Sequence, residues 1–234
     1  METAIPKIRE PEKFIYHAFE EAAFVEVTKE TGLDVCMQYP LLGMQNAEPR
    51  CLMREEVLER LLRAQEFLPE GFFLRIWDAW RPFALQKELY EEYAEDIIEQ
   101  FGLDKVSEQE RMRIVASYIS LPIADRNCPP VHTTGGAVDV TLIDEQGREL
   151  NMGTAFDAFS TKTHTAYFED ADDAEEEEIR DNRRILYHAM TKAGFTNLPS
   201  EWWHYDFGDR FWAYYRQDPA IYKGVFSLEE VTEE

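Results

Sequence analysis

An acidic residue inside an apolar strand is the feature that most constrains this chain. Asp139 lies in the run Ala137-Val138-Asp139-Val140-Thr141-Leu142, whose small and β-branched residues predict a buried strand over 137–143. Burying a carboxylate is costly unless it is paired, hydrogen-bonded or bound to a cation. Taken alone, Asp139 is equally compatible with a backbone hydrogen bond or with a solvent-facing place on a two-faced strand. Its possible partners therefore have to be sought elsewhere in the chain.

The first possible partner is a histidine seven residues upstream. His132 follows Pro129-Pro130 and precedes Thr133-Thr134-Gly135-Gly136. The paired glycines allow a sharp turn and a close approach of the backbone to a neighbouring segment. A lone histidine is more often structural than functional, but His132 and Asp139 together form a plausible pair of metal ligands, one from a loop and one from a strand.

A second histidine follows a glutamate near the C-terminus, in Glu201-Trp202-Trp203-His204. A regular strand would place Glu201 and His204 on opposite faces, so a shared site requires a bend ahead of the strand, which Pro199-Ser200 makes plausible. The alternative is a tryptophan-rich core that contains a hydrogen-bonded histidine. Two histidines and one aspartate would leave a fourth tetrahedral position for water, as in catalytic zinc sites.

The remaining pattern predicts an α+β fold. Helices are predicted over 55–68, 83–101, 107–118 and 179–192, and strands over 24–27, 72–77 and 137–143. The third helix begins with the capping-box pair Ser107 and Glu110. The aromatic segment 202–226 is predicted to be β-rich or irregular. Because helices precede most of the strands, we expect one domain, residues 1–234, with a central antiparallel sheet flanked by helices.

The charge balance excludes whole classes of partner. The chain has 47 acidic and 24 basic residues among 234, a net charge of −23. Such a surface repels phosphate backbones and anionic membranes, so we expect neither a nucleic-acid nor a membrane partner. The first fourteen residues lack the apolar stretch of a signal peptide, and no run approaches the ~18 apolar residues of a membrane span. These features predict a soluble, cytoplasmic protein.

Several residues that could suggest chemistry are better explained by structure. Cys36, Cys51 and Cys128 cannot all pair; we expect Cys36 and Cys51 to be small core residues and Cys128 to be buried or redox-silent. Cys128 lies close to His132, but two histidines and an aspartate already supply a ligand set. The acidic run 169–178 lacks the spacing and the glycine of a calcium loop. We expect it to be the solvated start of a helix, where carboxylates favour the positive end of the dipole.

Four segments in one order carry a family resemblance: Asp78-Ala79-Trp80-Arg81-Pro82, His132 to Asp139, Met152-Gly153-Thr154-Ala155-Phe156-Asp157, and Glu201-Trp202-Trp203-His204. They resemble the DxxRP, HxxGxAxD, MGxxFD and ExxH signatures of the zinc D-Ala-D-Ala dipeptidases of the vancomycin-resistance type. The segments span more than half of the chain. The resemblance implies a fold like that of Hedgehog domains and D,D-peptidases, in which the sheet carries the zinc. One departure is Pro130, where the family usually has a serine near the substrate.

The resemblance also implies a role for each residue. His132, Asp139 and His204 would hold one zinc ion per chain, and the zinc would activate a water molecule. Glu201 would be the general base, and Arg81 would stabilise the oxyanion. Asp157 would receive the substrate ammonium. The alternatives are a structural salt bridge for Arg81 and a turn or helix N-cap for Asp157.

These roles predict an enzyme that hydrolyses the dipeptide D-Ala-D-Ala. One alternative is a D,D- or L,D-carboxypeptidase that trims longer peptidoglycan stem peptides. The other is a module that keeps the zinc and binds a peptide without hydrolysing it. The presence of both Glu201 and Arg81 argues against the binding module, because a protein that only binds has no need of a general base.

Overall fold

A computed structural model describes residues 2–12, 17–20 and 22–233, so part of the opening segment lies outside the described residues. The strands are β1 (Phe24–Val27), β2 (Asp34–Val35), β3 (Cys51–Arg54), β4 (Phe72–Asp78), β5 (Ala137–Asp144), β6 (Thr196–Asn197) and β7 (His204–Asp206). The helices are α1 (Gln38–Leu42), α2 (Glu55–Glu66), α3 (Phe83–Gln100), α4 (Glu108–Val115), α5 (Ala174–Lys192), α6 (Arg210–Arg216) and α7 (Leu228–Glu233). The predicted α+β class is therefore confirmed.

Five strands form the sheet that carries the site, in the order β2-β4-β5-β7-β6. Strands β4, β5, β7 and β6 pair antiparallel along this order, as predicted. The edge strand β2 is parallel to β4, so the prediction of an antiparallel sheet is wrong at this edge. The chain passes through α1, β3 and α2 between these two strands, and a crossover of that length permits parallel pairing. Strands β1 and β3 form a separate antiparallel pair.

The two faces of the sheet have different surroundings because side chains alternate along a strand. Val138, Val140 and Leu142 of β5 belong to the main core, together with apolar residues of α2 and α5 such as Leu61 and Leu186. Asp139 alternates with these valines and so faces the opposite side of the sheet. All residues of β5 except its last are buried, so the Asp139 carboxylate is removed from solvent.

The long helices lie close to their predicted bounds, and the small differences arise at their ends. Ser107 caps α4 by accepting from the backbone N–H of Glu110, as the capping-box pattern predicts. The acidic run enters α5 earlier than predicted, because Asp173 caps the helix and the next carboxylates occupy its first turn. This position agrees with the expected interaction of acidic side chains with the helix dipole.

The prediction for the C-terminal aromatic segment is wrong over α6. Asp209 accepts hydrogen bonds from the backbone N–H groups of Phe211 and Trp212, and this cap starts a helix in the segment predicted to be β-rich or irregular. The aromatic residues that suggested a strand instead cover the core. Among the helices of the described residues, none is long and apolar enough to cross a membrane.

Candidate active site

Strand register brings the two predicted ligands of the sheet together. Asp139 on β5 pairs with His204 on β7, and Asp78 on β4 pairs with Asp139 on its other side. The register of β4 shifts between Ile76 and Asp78, as in a β-bulge. This shift places Asp78 opposite Asp139. Asp78, Asp139 and His204 therefore lie side by side across three neighbouring strands.

His132 reaches the same point from a tight turn. It lies in the 3₁₀ turn Val131–Thr134, which ends at Gly135 with φ 73°, a conformation that favours glycine. A Cβ atom on Gly136 would lie 2.4 Å from the carbonyl oxygen of Phe207, so the close approach inferred from the paired glycines is present. The turn holds the His132 ring edge-on to the ring of His204, with ring centroids 4.8 Å apart.

The three predicted ligands present converging donor atoms. His204 Nδ1 lies 3.0 Å from Asp139 Oδ1 and 3.1 Å from His132 Nε2, and the His132–Asp139 pair is separated by 3.4 Å. Tetrahedral zinc with ligand distances of 2.0–2.1 Å requires donors roughly 3.3 Å apart. All three residues are buried, and they form a group able to hold a metal ion. The donor set therefore fits the metal that the sequence predicts.

The outer nitrogen of each histidine ring has its own partner. His132 Nδ1 lies 2.9 Å from the carbonyl oxygen of Ala79, and His204 Nε2 lies 2.8 Å from Asp206 Oδ1. Such partners fix the orientation of a ligating imidazole and strengthen it as a ligand. Burial opposes ionisation of Asp139, but His132 and His204 outweigh it and hold the pKa of this carboxyl below its usual range. The carboxylate form, which binds cations, is thus favoured.

Glu201 lies in the turn that leads into β7. Its backbone N–H donates to the carbonyl oxygen of Leu198, and its own carbonyl oxygen accepts from the N–H of His204, so the chain bends as the sequence requires. Glu201 Oε2 lies 3.9 Å from His204 Nδ1, and its side chain keeps 27% of its exposure. Desolvation raises the pKa of Glu201 to about 8. The charge of His204 lowers this pKa, and the charge of Asp139 raises it. Without a metal, this carboxyl is therefore mainly protonated at neutral pH; a cation held by the adjacent donors would favour the carboxylate form, which can act as a base.

Arg81 is fixed by three neighbours. Its Nε donates to Asp78 at 2.9 Å, its Nη1 to Gln86 at 2.9 Å, and its Nη2 to the hydroxyl of Tyr39 at 3.1 Å. The same Nη2 lies 3.6 Å from Asp139 Oδ2. The structural salt bridge considered for Arg81 is present, and the guanidinium also reaches the edge of the donor set. The salt bridge is therefore observed, whereas the role of Arg81 at the oxyanion stays a prediction.

Asp157 lies in the loop between β5 and α5 with φ 55°, a left-handed conformation that is uncommon for a residue with a side chain. Its Oδ2 accepts hydrogen bonds from Tyr39 at 2.8 Å and from Tyr93 at 3.1 Å. Burial and the charge of Asp139 raise the pKa of Asp157 to about 6, against the effects of Arg81 and the two hydroxyls. Asp157 does not cap a helix but does lie in a turn, as one of its two structural alternatives predicts, and its carboxylate is available at neutral pH.

All six residues predicted from the sequence line one cavity of about 80 Å³: Arg81, His132, Asp139, Asp157, Glu201 and His204. Ligand pockets usually measure about 300–1,000 Å³, so this one suits a small substrate. The rest of the lining is mixed, and it includes Gln86 and Tyr93 of α3 and Phe159 and Trp203 of the loops. The structure thus brings the complete predicted set into one place.

Sequence reasoning missed the residues that support this set. Tyr39, Gln86 and Tyr93 hold Arg81 and Asp157, and Asp206 holds His204. The position of Asp206, two residues beyond His204 on a strand and hence on the same face, was a signal that could have been used. The two tyrosines gave no such signal, because each is more than sixty residues from Asp157 in the chain.

The cysteines and the acidic run, which were set aside, do not supply ligands to the site. The three cysteines are free, with Cys51 and Cys128 buried, and none belongs to the donor set. Asp172, Asp173 and Glu176 lie close to one another at the exposed start of α5, where Asp173 acts as the helix cap. The structural explanation of the acidic run is therefore sufficient.

A cavity that combines converging metal donors, a carboxyl beside them and a buried arginine has the parts of a metallopeptidase, and comparison with known proteins shows that the protein is one. A family model described as D-ala-D-ala dipeptidase matches residues 40–222. The match covers most of the chain, so the chain belongs to this family. The resemblance found in the four sequence segments is thus confirmed.

Individual relatives agree with the family match. A D-alanyl-D-alanine dipeptidase from Synechocystis sp. is 30% identical over 177 residues, which are 70% of this chain and 72% of the relative. The protein of the same name from Escherichia coli is 28% identical, with 68% of each chain covered. That from Enterococcus faecium is 29% identical over 64% of this chain and 70% of its own.

Proposed function

We propose that this protein hydrolyses the free dipeptide D-Ala-D-Ala with one zinc ion per chain. The observation that carries the proposal is the convergence of three donor atoms, 3.0–3.4 Å apart, in the cavity that also contains Glu201, Arg81 and Asp157. The names of the three relatives support the substrate. The family assignment supports a metallopeptidase mechanism.

The metal would be held by His132 Nε2, Asp139 Oδ1 and His204 Nδ1. When bound, zinc polarises a peptide carbonyl and lowers the pKa of water toward ~7. Glu201, beside His204, takes a proton from the attacking water and delivers it to the leaving amine. The Arg81 guanidinium donates to the oxygen that becomes negative as the carbonyl carbon turns tetrahedral.

Substrate length follows from the size and charge of the cavity. A free dipeptide is a small zwitterion, and both of its charged ends need partners inside a cavity of about 80 Å³. Asp157 is the acidic group we assign to the ammonium, and Tyr39 and Tyr93 fix its orientation. Trp203 lines the same cavity and helps to exclude water. An amine blocked by an acyl group would lose its charge and with it the ion pair assigned to Asp157.

We therefore expect zinc-loaded protein to turn over free D-Ala-D-Ala and to leave L-Ala-L-Ala, N-acetyl-D-Ala-D-Ala and a stem pentapeptide ending in D-Ala-D-Ala essentially intact. Released amino groups are quantified with and without a chelator, and zinc is added back as a control. Turnover of the blocked or longer peptides at the rate of the free dipeptide would favour the carboxypeptidase alternative. Bound zinc with no turnover of any of these peptides would favour the binding module.

A second expected result concerns the metal itself. Asp206→Asn removes the carboxylate that accepts from His204 Nε2 while keeping the size of the side chain. Loss of such a partner weakens metal binding by about 10- to 100-fold. Competition with a chromogenic chelator measures the affinity, and Asp144→Asn, at the far end of β5, is the control. Unchanged zinc affinity in folded Asp206→Asn would contradict the assignment of His204 as a ligand.

A further inference from the structure

One wall of the cavity is built by a loop with little regular structure. Residues 152–164 connect the β5 region to the segment before α5, and their only regular element in the described chain is the 3₁₀ turn Thr161–Thr163. This loop supplies Asp157, Phe159 and His164 to the cavity. Asp157 sits near its centre in the left-handed conformation. Some other part of the protein must hold such a loop in one shape.

Arg183 of α5 ties the two ends of this loop to one guanidinium. Its Nε and Nη2 donate to the carbonyl oxygen of Met152 at 2.8 and 2.6 Å. Its Nη1 donates to the carbonyl oxygen of His164 at 2.8 Å, and its Nη2 also donates to that of Lys162 at 2.9 Å. The planar fork of an arginine can span three carbonyl groups in this way, whereas a lysine cannot.

The environment of Arg183 differs from that of its neighbours on the same helix. Arg180 pairs with Asp181, and Arg184 pairs with Glu169, so each of these arginines has a carboxylate partner. Arg183 is 1% exposed and, among the described residues, forms no ion pair with a carboxylate. A buried charge without a counter-ion is costly, so its hydrogen bonds to the loop must offset that cost.

Phe168 packs against both Arg183 and the start of the loop. The Arg183 guanidinium lies over the ring of Phe168, 4.8 Å from its centroid. A Cβ atom on Gly153 would lie 2.7 Å from the same ring, so the start of the loop is closely packed there. Tyr39 and Tyr93 hold only the side chain of Asp157, whereas Arg183 holds the backbone on both sides of it.

We propose that Arg183 is a positioning residue for Asp157 and thereby sets the affinity of the enzyme for the charged amino terminus of its substrate. The inference rests on the proposed function, in which Asp157 receives that ammonium. Arg183 does not touch the substrate. It acts through the backbone of residues 152–164, so we expect its main effect on substrate binding.

The test compares Arg183→Lys with wild type, because lysine keeps the charge but loses the fork. Arg180→Lys, three residues earlier on the same helix, is the matched control. For free D-Ala-D-Ala we expect KM to rise by about tenfold or more in Arg183→Lys. We expect kcat to stay within about threefold, as for loss of an interaction made equally in the ground and transition states. The control should change neither constant.

Hydrogen exchange supplies a readout that needs no substrate. Backbone amides of 152–164 should exchange faster in Arg183→Lys than in wild type or Arg180→Lys, while amides of β5 and α2 stay protected. Wild-type exchange and wild-type KM in Arg183→Lys would overturn the inference. Arg183→Met serves as a second variant, and a KM that it leaves unchanged while the protein remains folded would also overturn it.

Asp157→Asn, assayed alongside, separates this inference from the proposed function. A raised KM in Asp157→Asn with none in Arg183→Lys overturns the role of Arg183 alone. A normal KM in Asp157→Asn overturns the assignment of the ammonium to Asp157, and faster exchange of 152–164 in Arg183→Lys would then still support control of the loop by Arg183.

Discussion

Glu201→Gln is expected to reduce kcat by ~10² or more while the protein stays folded and keeps its zinc. Glutamine has the shape of glutamate but cannot accept a proton from water at neutral pH. Glu201 Oε2 is 3.9 Å from His204 Nδ1, outside the 3.0–3.4 Å spacing of the three donors, so its loss should leave the metal in place. The side chain is partly exposed and makes little contribution to the core, so folding should be preserved.

Steady-state kinetics and elemental analysis of the same preparations test this result. Glu149→Gln is the matched control, because Glu149 is also a partly exposed glutamate, which accepts a hydrogen bond from Trp77 outside the active-site cavity. Activity of Glu201→Gln within a few-fold of wild type would show that another group moves the proton. Loss of zinc in this variant would instead make Glu201 a ligand.

Arg81→Lys is expected to lower kcat by ~10²–10³ with a small change in KM, since removal of one oxyanion donor costs that much. Lysine retains the positive charge next to Asp78, so the buried carboxylate is not left unpaired. A single ammonium cannot donate in the directions of Asp78, Gln86 and Tyr39 as the guanidinium does. The group that faces the reacting carbonyl would therefore be displaced.

Whether Arg81→Lys changes kcat or KM distinguishes the two possible roles of Arg81. Oxyanion stabilisation acts in the transition state, so kcat and kcat/KM should fall together. A rise in KM with normal kcat would mean that Arg81 anchors the substrate carboxylate. Arg75→Lys is the control: Arg75 lies on the same strand and pairs with Asp34 and Glu149, away from the cavity.

Local sequence was sufficient for the elements whose formation depends on neighbouring residues. The pattern around Asp139 placed β5 within one residue of its observed end, and the Ser107–Glu110 pair placed the start of α4. The same local reasoning failed at α6, where aromatic residues suggested a strand and the cap supplied by Asp209 was overlooked. It also failed at β2, because the direction of an edge strand depends on the path of the whole crossover.

For the site, the sequence by itself predicted which residues would carry the chemistry, and the three proposed donors, Glu201, Arg81 and Asp157 all line one cavity. Their residue types and short spacings limit what they can do, and this information is local. Only the tertiary structure decided how they are held. The shifted register of β4 sets Asp78 beside Asp139. Arg183 on α5 donates hydrogen bonds to both ends of the loop 152–164. Such contacts join segments far apart in the chain, and they form only when burial of the core brings those segments together.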